Sequence, residues 1–224
     1  MSDGRTPIPQ LVVIGASAGG VEALSTLVST LPSKFQAPIV IAQHLDPSRL
    51  SHLKDILGRR ASLPVRSVEN REELQAGVIY VVPADHHVEI GDHAVTVKSE
   101  PGRARPSPSI DRLLESAADA FGEQLIAVIL TGLGSDGAEG ARRVKELGGT
   151  VVIQNPQTAS HPEMPMSLAP TTVDIVAELE AIGPLLNDLL VDAYAATKPD
   201  DDRRMRTTTC GATRKSSTVS RAAS

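Results

Sequence analysis

Short, continuous apolar runs alternate along the chain with segments in which apolar residues recur at helical spacing. The runs, rich in Val and Ile, cover residues 11–14, 39–42, 78–82, 125–130 and 151–153. Strands that are apolar at every position are typical of a parallel sheet whose two faces are both covered. The helical segments cover residues 21–31, 50–60, 110–121, 137–147 and 182–195. This alternation predicts an α/β fold with one doubly wound, mostly parallel sheet and helices on both faces.

The remaining segments complete the predicted organisation. Residues 88–90 and 94–98 flank a short polar turn, and this pattern predicts a β-hairpin. We see neither an internal repeat nor a linker before residue 197, so we expect residues 11–196 to form a single domain after an N-terminal extension of residues 1–10. Residues 197–224 carry seven Lys/Arg, three Asp and almost no apolar side chains. Such a segment buries too little surface to order itself, and we expect a solvated, disordered basic tail.

Composition narrows the class of protein. The 224 residues include only two Phe, two Tyr and no Trp, which disfavours modules that stack nucleic-acid bases on aromatic rings. No apolar run approaches the roughly 18 residues of a membrane helix, and the N-terminus lacks the apolar core of a secretory signal. The single cysteine, Cys210, excludes an internal disulfide and a cysteine metal cluster. We therefore expect a cytoplasmic protein that neither binds nucleic acid nor inserts into a membrane.

Three polar side chains follow buried strands of the predicted sheet at the points where those strands end. Ser17 lies just beyond the first run, His44 just beyond the second, and Asp136 in the loop after the fourth. Because the carboxyl ends of parallel strands meet at one edge of a sheet, we expect these side chains to lie on the same rim. A hydroxyl, an imidazole and a carboxylate are the groups that nucleophilic acyl transfer requires.

The segment around Ser17 admits more than one interpretation. Gly15-x-Ser17-x-Gly19 between a strand and a helix has the form of a nucleophile elbow, in which small neighbours allow a sharp turn and expose the hydroxyl. The alternative is a glycine-rich turn that binds phosphate or allows close packing. A dinucleotide site is disfavoured, because Ser17 stands where that motif needs glycine and the next strand ends on Gln43 and His44 rather than on an acid.

His44 and Asp136 each have a purely structural role as an alternative to a catalytic one. The other five histidines, none of which ends a predicted strand of the sheet, are expected to be surface or packing residues: His52, His86, His87, His93 and His161. His44 differs because it ends a buried strand beside the one that delivers Ser17. Asp136 lies among glycines directly before the helical segment 137–147, where aspartate is a common N-cap. A catalytic role and a capping role for Asp136 do not exclude each other.

Five stretches together resemble a known family. They are IGASAGGVEAL (14–24), IAQHLDPS (41–48), GVIYVVPADHHVEI (77–90), RPSPSIDRLLESAA (105–118) and VILTGLGSDGAEGARRVKELGGTVVIQNPQTA (128–159). In this order they resemble the chemotaxis protein-glutamate methylesterases, whose catalytic domain is of the CheB type. The resemblance extends from about residue 11 to about residue 186. Several separate motifs in the same order make it specific.

The resemblance implies a serine esterase with a parallel α/β fold. By position, Ser17 is the nucleophile, His44 the base and Asp136 the orienting acid, while the backbone N–H groups of Ala18 and Leu133 form the oxyanion hole. The implied reaction hydrolyses γ-methyl esters of glutamate on the cytoplasmic helices of chemoreceptors, without metal or organic cofactor. Some relatives also deamidate glutamine. The implied partners are methyl-accepting chemoreceptors, with a methyltransferase or a response regulator in trans as further candidates.

The chain also departs from the family pattern. Ala18 and Leu133 stand where many members have Thr and Met, but both are implied to act through backbone groups. Met166 stands where the family usually has Arg, which affects substrate docking more than the triad. About ten residues precede the first strand, too few for a receiver domain, so we expect a stand-alone catalytic domain. Two alternatives stay open: a non-catalytic or differently regulated binding module, and an esterase for another substrate.

Overall fold

A seven-stranded parallel sheet forms the centre of the fold. The computed structural model describes residues 10–45, 52–84, 86–98 and 108–197, with side chains described to residue 191. In spatial order the strands are β10 (Ile175–Ala177), β9 (Thr150–Gln154), β8 (Leu125–Ile129), β1 (Leu11–Ala16), β2 (Ile39–Gln43), β5 (Ile79–Val81) and β3 (Val65–Ser67). Every neighbouring pair in this sheet is parallel. The predicted parallel α/β fold is confirmed.

Helices cover both faces of this sheet. Strand β1 is buried along its whole length, and its alternate residues belong to two separate apolar clusters. Val12 and Ile14 pack with α1 (Gly20–Thr30), α2 (Leu53–Gly58) and α6 (Leu179–Thr197). Leu11 and Val13 pack in the cluster that contains α3 (Ile110–Phe121), α4 (Ala138–Glu146) and the short helix α5 (Glu163–Ser167). None of the helices in the described part of the chain is long and apolar enough to cross a bilayer.

A small antiparallel sheet packs against α3, and its Val88, Ile90 and Val95 belong to the same apolar cluster as that helix. It contains β4 (Arg71–Glu73), β7 (Ala94–Lys98) and β6 (His87–Gly91), in that order. Strands β6 and β7 form the predicted hairpin, and the two residues that connect them, Asp92 and His93, have φ angles of 49° and 55°. Positive φ at both central residues is typical of the tight turns that match the twist of a hairpin.

The predicted elements agree with the structure where both can be compared. All five predicted strands are present, and the predicted helices correspond to α1, α2, α3, α4 and α6. The sequence pattern missed β3, β4, β10 and α5, which contain only three to five residues each and are partly exposed. Of the predicted N-terminal extension (residues 1–10) and basic tail (residues 197–224), all but residues 10 and 197 lie outside the described residues, and residue 197 ends helix α6.

Helices α3 and α4 approach each other closely near their first turns. Gly140 of α4 lies against α3, and a Cβ atom placed there would come within 2.7 Å of both the Asp111 carbonyl oxygen and the Leu114 Cβ. The α3 backbone at Asp111 could not relieve such a contact unless the whole helix moved. The spacing of α3 and α4 therefore requires a residue without a side chain at this position.

We expect Gly140→Ala to lower the free energy of unfolding by about 1–3 kcal/mol, because the added methyl group overlaps a packed backbone. Gly58→Ala in α2 is the matched control, since a Cβ atom added at Gly58 would have no neighbouring atom within 4 Å. That control should be neutral or stabilising by up to about 1 kcal/mol, because alanine favours the helix. Urea denaturation measures both effects, and equal stabilities of the two variants would contradict the contact.

Candidate active site

Three adjacent strands deliver the three polar residues expected from the sequence. Ser17 follows β1, His44 follows β2, and Asp136 lies in the loop between β8 and α4. Strand β1 lies between β2 and β8, and the order of strands along the chain reverses there. Open α/β sheets form their binding crevice at the carboxyl ends of strands at such a reversal. The topology therefore brings the three side chains to one crevice.

The three side chains form a continuous chain of hydrogen bonds. The Nδ1 atom of His44 lies 3.2 Å from the Ser17 Oγ, and its Nε2 lies 2.8 Å from Oδ2 of Asp136. A carboxylate only accepts, so Nε2 carries the proton and Nδ1 presents its lone pair to the hydroxyl. In the chymotrypsin-type triad the two ring nitrogens have the opposite roles. The His44 side chain is 18% exposed and that of Asp136 is 9% exposed, so both are largely buried and the ring keeps part of its surface accessible.

The buried Gln43 side chain connects the residues that carry the hydroxyl and the imidazole. Its Nε2 donates to the carbonyl oxygen of Ser17 at 2.7 Å and to that of His44 at 2.8 Å. The His44 N–H in turn donates to the Ala16 carbonyl at 3.0 Å. The Gln43 Oε1 lies so close to Gly20 that a Cβ there would be 2.0 Å away. One amide group thus fixes the distance between the ends of β1 and β2.

Thr131 connects the loop after β1 to the loop after β8. Its carbonyl accepts from the Ser17 N–H at 3.0 Å, and its hydroxyl donates to the Ala18 carbonyl at the same distance. The hydroxyl also accepts from the His161 N–H at 2.9 Å, while the Thr131 N–H donates to Oε1 of Gln154 at 2.9 Å. Sequence reasoning did not identify Thr131 or Gln43 as site residues. The available signal was a polar residue at the end of an otherwise apolar strand.

The two residues whose N–H groups are expected to form an oxyanion hole are close neighbours of Ser17, one along the chain and one through Gly132. Ala18 follows Ser17 directly, and Gly132, which precedes Leu133, packs so closely that its Cβ would be 2.7 Å from the Ser17 Cβ. Within the described residues neither the Ala18 N–H nor the Leu133 N–H donates a hydrogen bond. The Leu133 side chain is apolar and 53% exposed.

The carboxylate of Asp136 does not cap the helix that follows it, which corrects the alternative considered from the sequence. Helix α4 begins at Ala138, and Gly137 with a φ of 106° occupies its N-cap position. Asp136 instead accepts from the N–H of Ile110 at 2.8 Å and of Asp111 at 3.0 Å, both in the first turn of α3. The sequence predicted that Asp136 caps α4, whereas it caps α3. Local pattern could not reveal this, because the capped N–H of Asp111 lies 25 residues before Asp136 in the chain.

Asp111 makes the reciprocal contact. Its Oδ1 accepts from the N–H of Gly137 and of Gly140, both at 2.8 Å, at the start of α4. The N–H groups at the start of α3 therefore donate to Asp136, which lies just before α4, and those at the start of α4 donate to Asp111, which lies on α3. Each helix start is capped by a carboxylate from outside that helix. Sequence reasoning did not identify Asp111, because no local capping pattern connects it to α4.

These contacts set the charges of the two carboxylates. Burial raises the pKa of Asp136, but the hydrogen bonds from His44 and from the N–H groups of Asp111 and Ile110 outweigh it, so that pKa is lowered overall. Burial is also the largest influence on Asp111, and together with the neighbouring Asp136 carboxylate it raises the pKa of Asp111 to about 6. Asp136 is thus ionised at neutral pH and can stabilise a protonated His44.

The remaining candidate residues have other surroundings. His87 accepts from the Ser109 N–H through Nδ1 at 3.1 Å, and the His93 ring packs edge-on against Phe121. His161 contacts the site through its backbone, where its carbonyl accepts from the Gly132 N–H at 2.9 Å. Met166 lies on α5 with 66% of its surface exposed.

Comparison with known proteins gives the same family throughout. The family model described as CheB methylesterase matches residues 12–186. A protein-glutamate methylesterase/protein-glutamine glutaminase of Carboxydothermus hydrogenoformans is 41% identical over 156 residues, which are 67% of this chain and 46% of the relative. A Leptospira interrogans protein, whose name carries the same two activities, is 40% identical over 178 residues, which are 79% of this chain and 92% of the relative.

A solved structure extends the comparison to three dimensions. The crystal structure of the CheB methylesterase catalytic domain of Thermotoga maritima superposes with a TM-score of 0.73 at 34% sequence identity. The match covers 80% of this chain and 98% of the crystallised one. With the family model matched over most of its length, the chain belongs to the CheB methylesterase family and is an enzyme of the methylesterase class.

Proposed function

We propose that this protein hydrolyses γ-methyl esters of glutamate on chemoreceptor helices, with Ser17, His44 and Asp136 as its catalytic triad. The observation that carries the proposal is the unbroken chain of hydrogen bonds from the Ser17 hydroxyl through the His44 ring to the Asp136 carboxylate. The substrate is inferred from the relatives, which are named for the methylesterase and glutaminase reactions.

The first half of the reaction forms an ester between the substrate and the enzyme. The His44 Nδ1 removes the proton from Ser17 Oγ as that oxygen attacks the carbonyl carbon of the methyl ester. The carbonyl oxygen becomes an oxyanion and accepts from the N–H groups of Ala18 and Leu133. The ionised Asp136 stabilises the imidazolium through Nε2. Collapse of the intermediate breaks the bond to the methoxy oxygen, which takes the proton from Nδ1 and leaves as methanol.

The second half repeats these steps with water. His44 removes a proton from a water molecule, whose oxygen attacks the acyl carbon, and the oxyanion is held by the same two N–H groups. The Ser17 oxygen then leaves and takes back the proton from Nδ1, which releases glutamate and restores the enzyme. The same steps acting on a glutamine side chain would release ammonia in place of methanol. We propose this deamidation as the second activity.

Backbone donors explain why two departures from the family pattern leave the mechanism intact. Ala18 and Leu133 differ from the common family residues in their side chains, whereas the donated hydrogen comes from the main chain. Met166 presents an exposed thioether on α5 where the family usually has a guanidinium. That substitution bears on how a receptor helix docks rather than on the proton transfers.

We expect Ser17→Ala to lower ester hydrolysis by at least about 10³-fold without loss of folding, because the variant lacks the nucleophile and removes a single oxygen. Methanol release from methylated chemoreceptor membranes measures the activity, and a fluorophosphonate probe should label the wild type at Ser17 alone. Ser29→Ala, at an exposed hydroxyl late in α1, is the matched control and should retain full rate and labelling.

The outcomes separate the competing functions. A folded Ser17→Ala variant with wild-type turnover would exclude Ser17 as the nucleophile. An unlabelled wild type would favour a binding module over an enzyme. Labelling at Ser17 without methanol release from receptor membranes would favour an esterase for another substrate.

We further expect His44→Gln and Asp136→Asn each to lower kcat by at least about 10³-fold, with the double variant close to the more damaged single one. The two side chains act on one proton, so loss of either leaves little for the second substitution to remove. Steady-state hydrolysis of p-nitrophenyl acetate by the four proteins tests this. Free-energy losses that simply add would show that the two residues do not share a proton transfer.

A further inference from the structure

Asp111 lies on the first turn of α3. It contacts the loop that carries Asp136 and the start of α4. Its Oδ1 accepts from the N–H groups of Gly137 and Gly140 at 2.8 Å each. Gly137 directly follows Asp136, so this carboxylate oxygen is one residue removed from the acid of the triad. The contact involves residues that are distant in the chain and fixes the start of α4 against α3.

The position of Asp136 depends on contacts from two directions. The Ile110 and Asp111 N–H groups hold its carboxylate, while the Asp111 carboxylate holds the backbone immediately after it. Without Oδ1 of Asp111, two N–H groups at the start of α4 would lose their acceptor. The loop could then relax toward solvent and withdraw Oδ2 of Asp136 from the His44 ring. A displacement of about 1 Å in such a group can cost roughly 10²-fold in rate.

We propose that Asp111 is a positioning residue for the esterase reaction. Its carboxylate oxygen holds the first turn of α4 and thereby keeps Asp136 within hydrogen-bond distance of His44. The inference rests on the proposed function, since it assigns a role to Asp111 only if Asp136 orients His44. The proposed role requires an oxygen atom at position 111 that accepts these hydrogen bonds, whether or not the side chain carries a negative charge.

Two substitutions at this position separate the oxygen from the charge. Asp111→Asn keeps an acceptor of the same length and removes the charge, whereas Asp111→Ala removes the acceptor. Asp119→Ala is the matched control, because Asp119 lies on the same helix and pairs with Arg143 of α4 at 2.7 Å, away from the site. It weakens the same pair of helices without touching the loop of Asp136.

We expect Asp111→Ala to lower kcat for p-nitrophenyl acetate by about 10- to 100-fold while KM stays within about twofold, because Asp111 does not contact the substrate. Asp111→Asn and Asp119→Ala should retain kcat within about threefold. The rate of fluorophosphonate labelling at Ser17 should follow kcat in each variant. Circular dichroism and thermal unfolding establish that each variant is folded.

A folded Asp111→Ala variant with wild-type kcat would overturn the inference, as would an Asn variant that loses activity as severely as the Ala variant. An equal loss in Asp119→Ala would show a general weakening of the helix pair and also overturn it. Should the Ala variant not fold, the Asn variant still decides, because retained kcat supports the acceptor role and a large loss refutes it. Activity of Ser17→Ala in the same assay would instead refute the proposed function.

The Asn variant also has an expected signature in stability. The pKa of Asp111 is raised to about 6 in the folded protein, chiefly by burial and then by the charge of Asp136, so ionising it opposes folding. The wild type therefore loses stability as pH rises from about 4 through about 6, and Asp111→Asn does not. The variant should have the higher Tm at pH 8, and the difference should shrink toward pH 4.

Other charged groups surround this end of α3, and the comparison must hold them constant. Strands β1 and β8 carry no ionisable side chain. The groups nearest this end of α3 are His44, Asp136, His87, Glu89, Glu139 and Arg142, and farther along α4 and after α3 lie Arg143, Lys145, Glu146 and Glu123. All of them are shared by the wild type and the Asn variant, so the Tm difference isolates position 111. A difference independent of pH would contradict the buried charge.

Discussion

Two carboxylates lie between the N-termini of α3 and α4, and the geometry of the site depends on how their negative charges are compensated. Asp136 receives two N–H groups of α3, and Asp111 receives two N–H groups at the start of α4. A helix N-terminus favours negative charge, because its free N–H groups and the helix dipole point toward it. Like charges at this distance would otherwise repel each other. The N–H groups that donate to the two carboxylates offset this repulsion. The same hydrogen bonds hold the starts of both helices at the carboxyl ends of the strands.

The same arrangement explains the unequal behaviour of the two acids. Asp136 has the further hydrogen bond from His44, and its pKa falls below the ordinary value. Burial and then the charge of Asp136 raise the pKa of Asp111, and the hydrogen bonds from the Gly140 and Gly137 N–H groups offset only part of that rise. As the pH falls through about 6, Asp111 takes up a proton first, and the negative charge stays on the Asp136 carboxylate that faces the imidazole. This assignment also sets the tautomer, since the ionised Asp136 requires the proton on Nε2 and leaves Nδ1 free toward Ser17.

Much of this could be predicted from the sequence, for identifiable reasons. The central strands are apolar at every position because helices cover both faces, and this continuous pattern located β1, β2, β8 and β9. Ser17 and His44 were identified because parallel topology places strand ends on one edge. The short strands β3 and β10 escaped notice because at the edges of the sheet they bury only part of their surface. Asp111 could not be found, since its partners come from a helix more than twenty residues away in the chain.

Like Asp111, the buried polar side chains at the ends of the strands could not be identified from the local sequence pattern. Gln43 and Thr131 are 2% and 1% exposed, and the Gln43 amide nitrogen and the Thr131 hydroxyl find their partners in loops that the folded sheet brings together. A buried amide or hydroxyl without such partners would cost free energy, so their positions are fixed by the completed fold. Main-chain carbonyl groups of Ser17, His44 and Ala18 accept the hydrogen bonds that these two side chains donate. Close contacts leave little freedom at the two glycines that follow Ala18, because a Cβ atom at Gly19 would lie 3.2 Å from the Ser160 Cβ and one at Gly20 would lie 2.0 Å from the Gln43 Oε1.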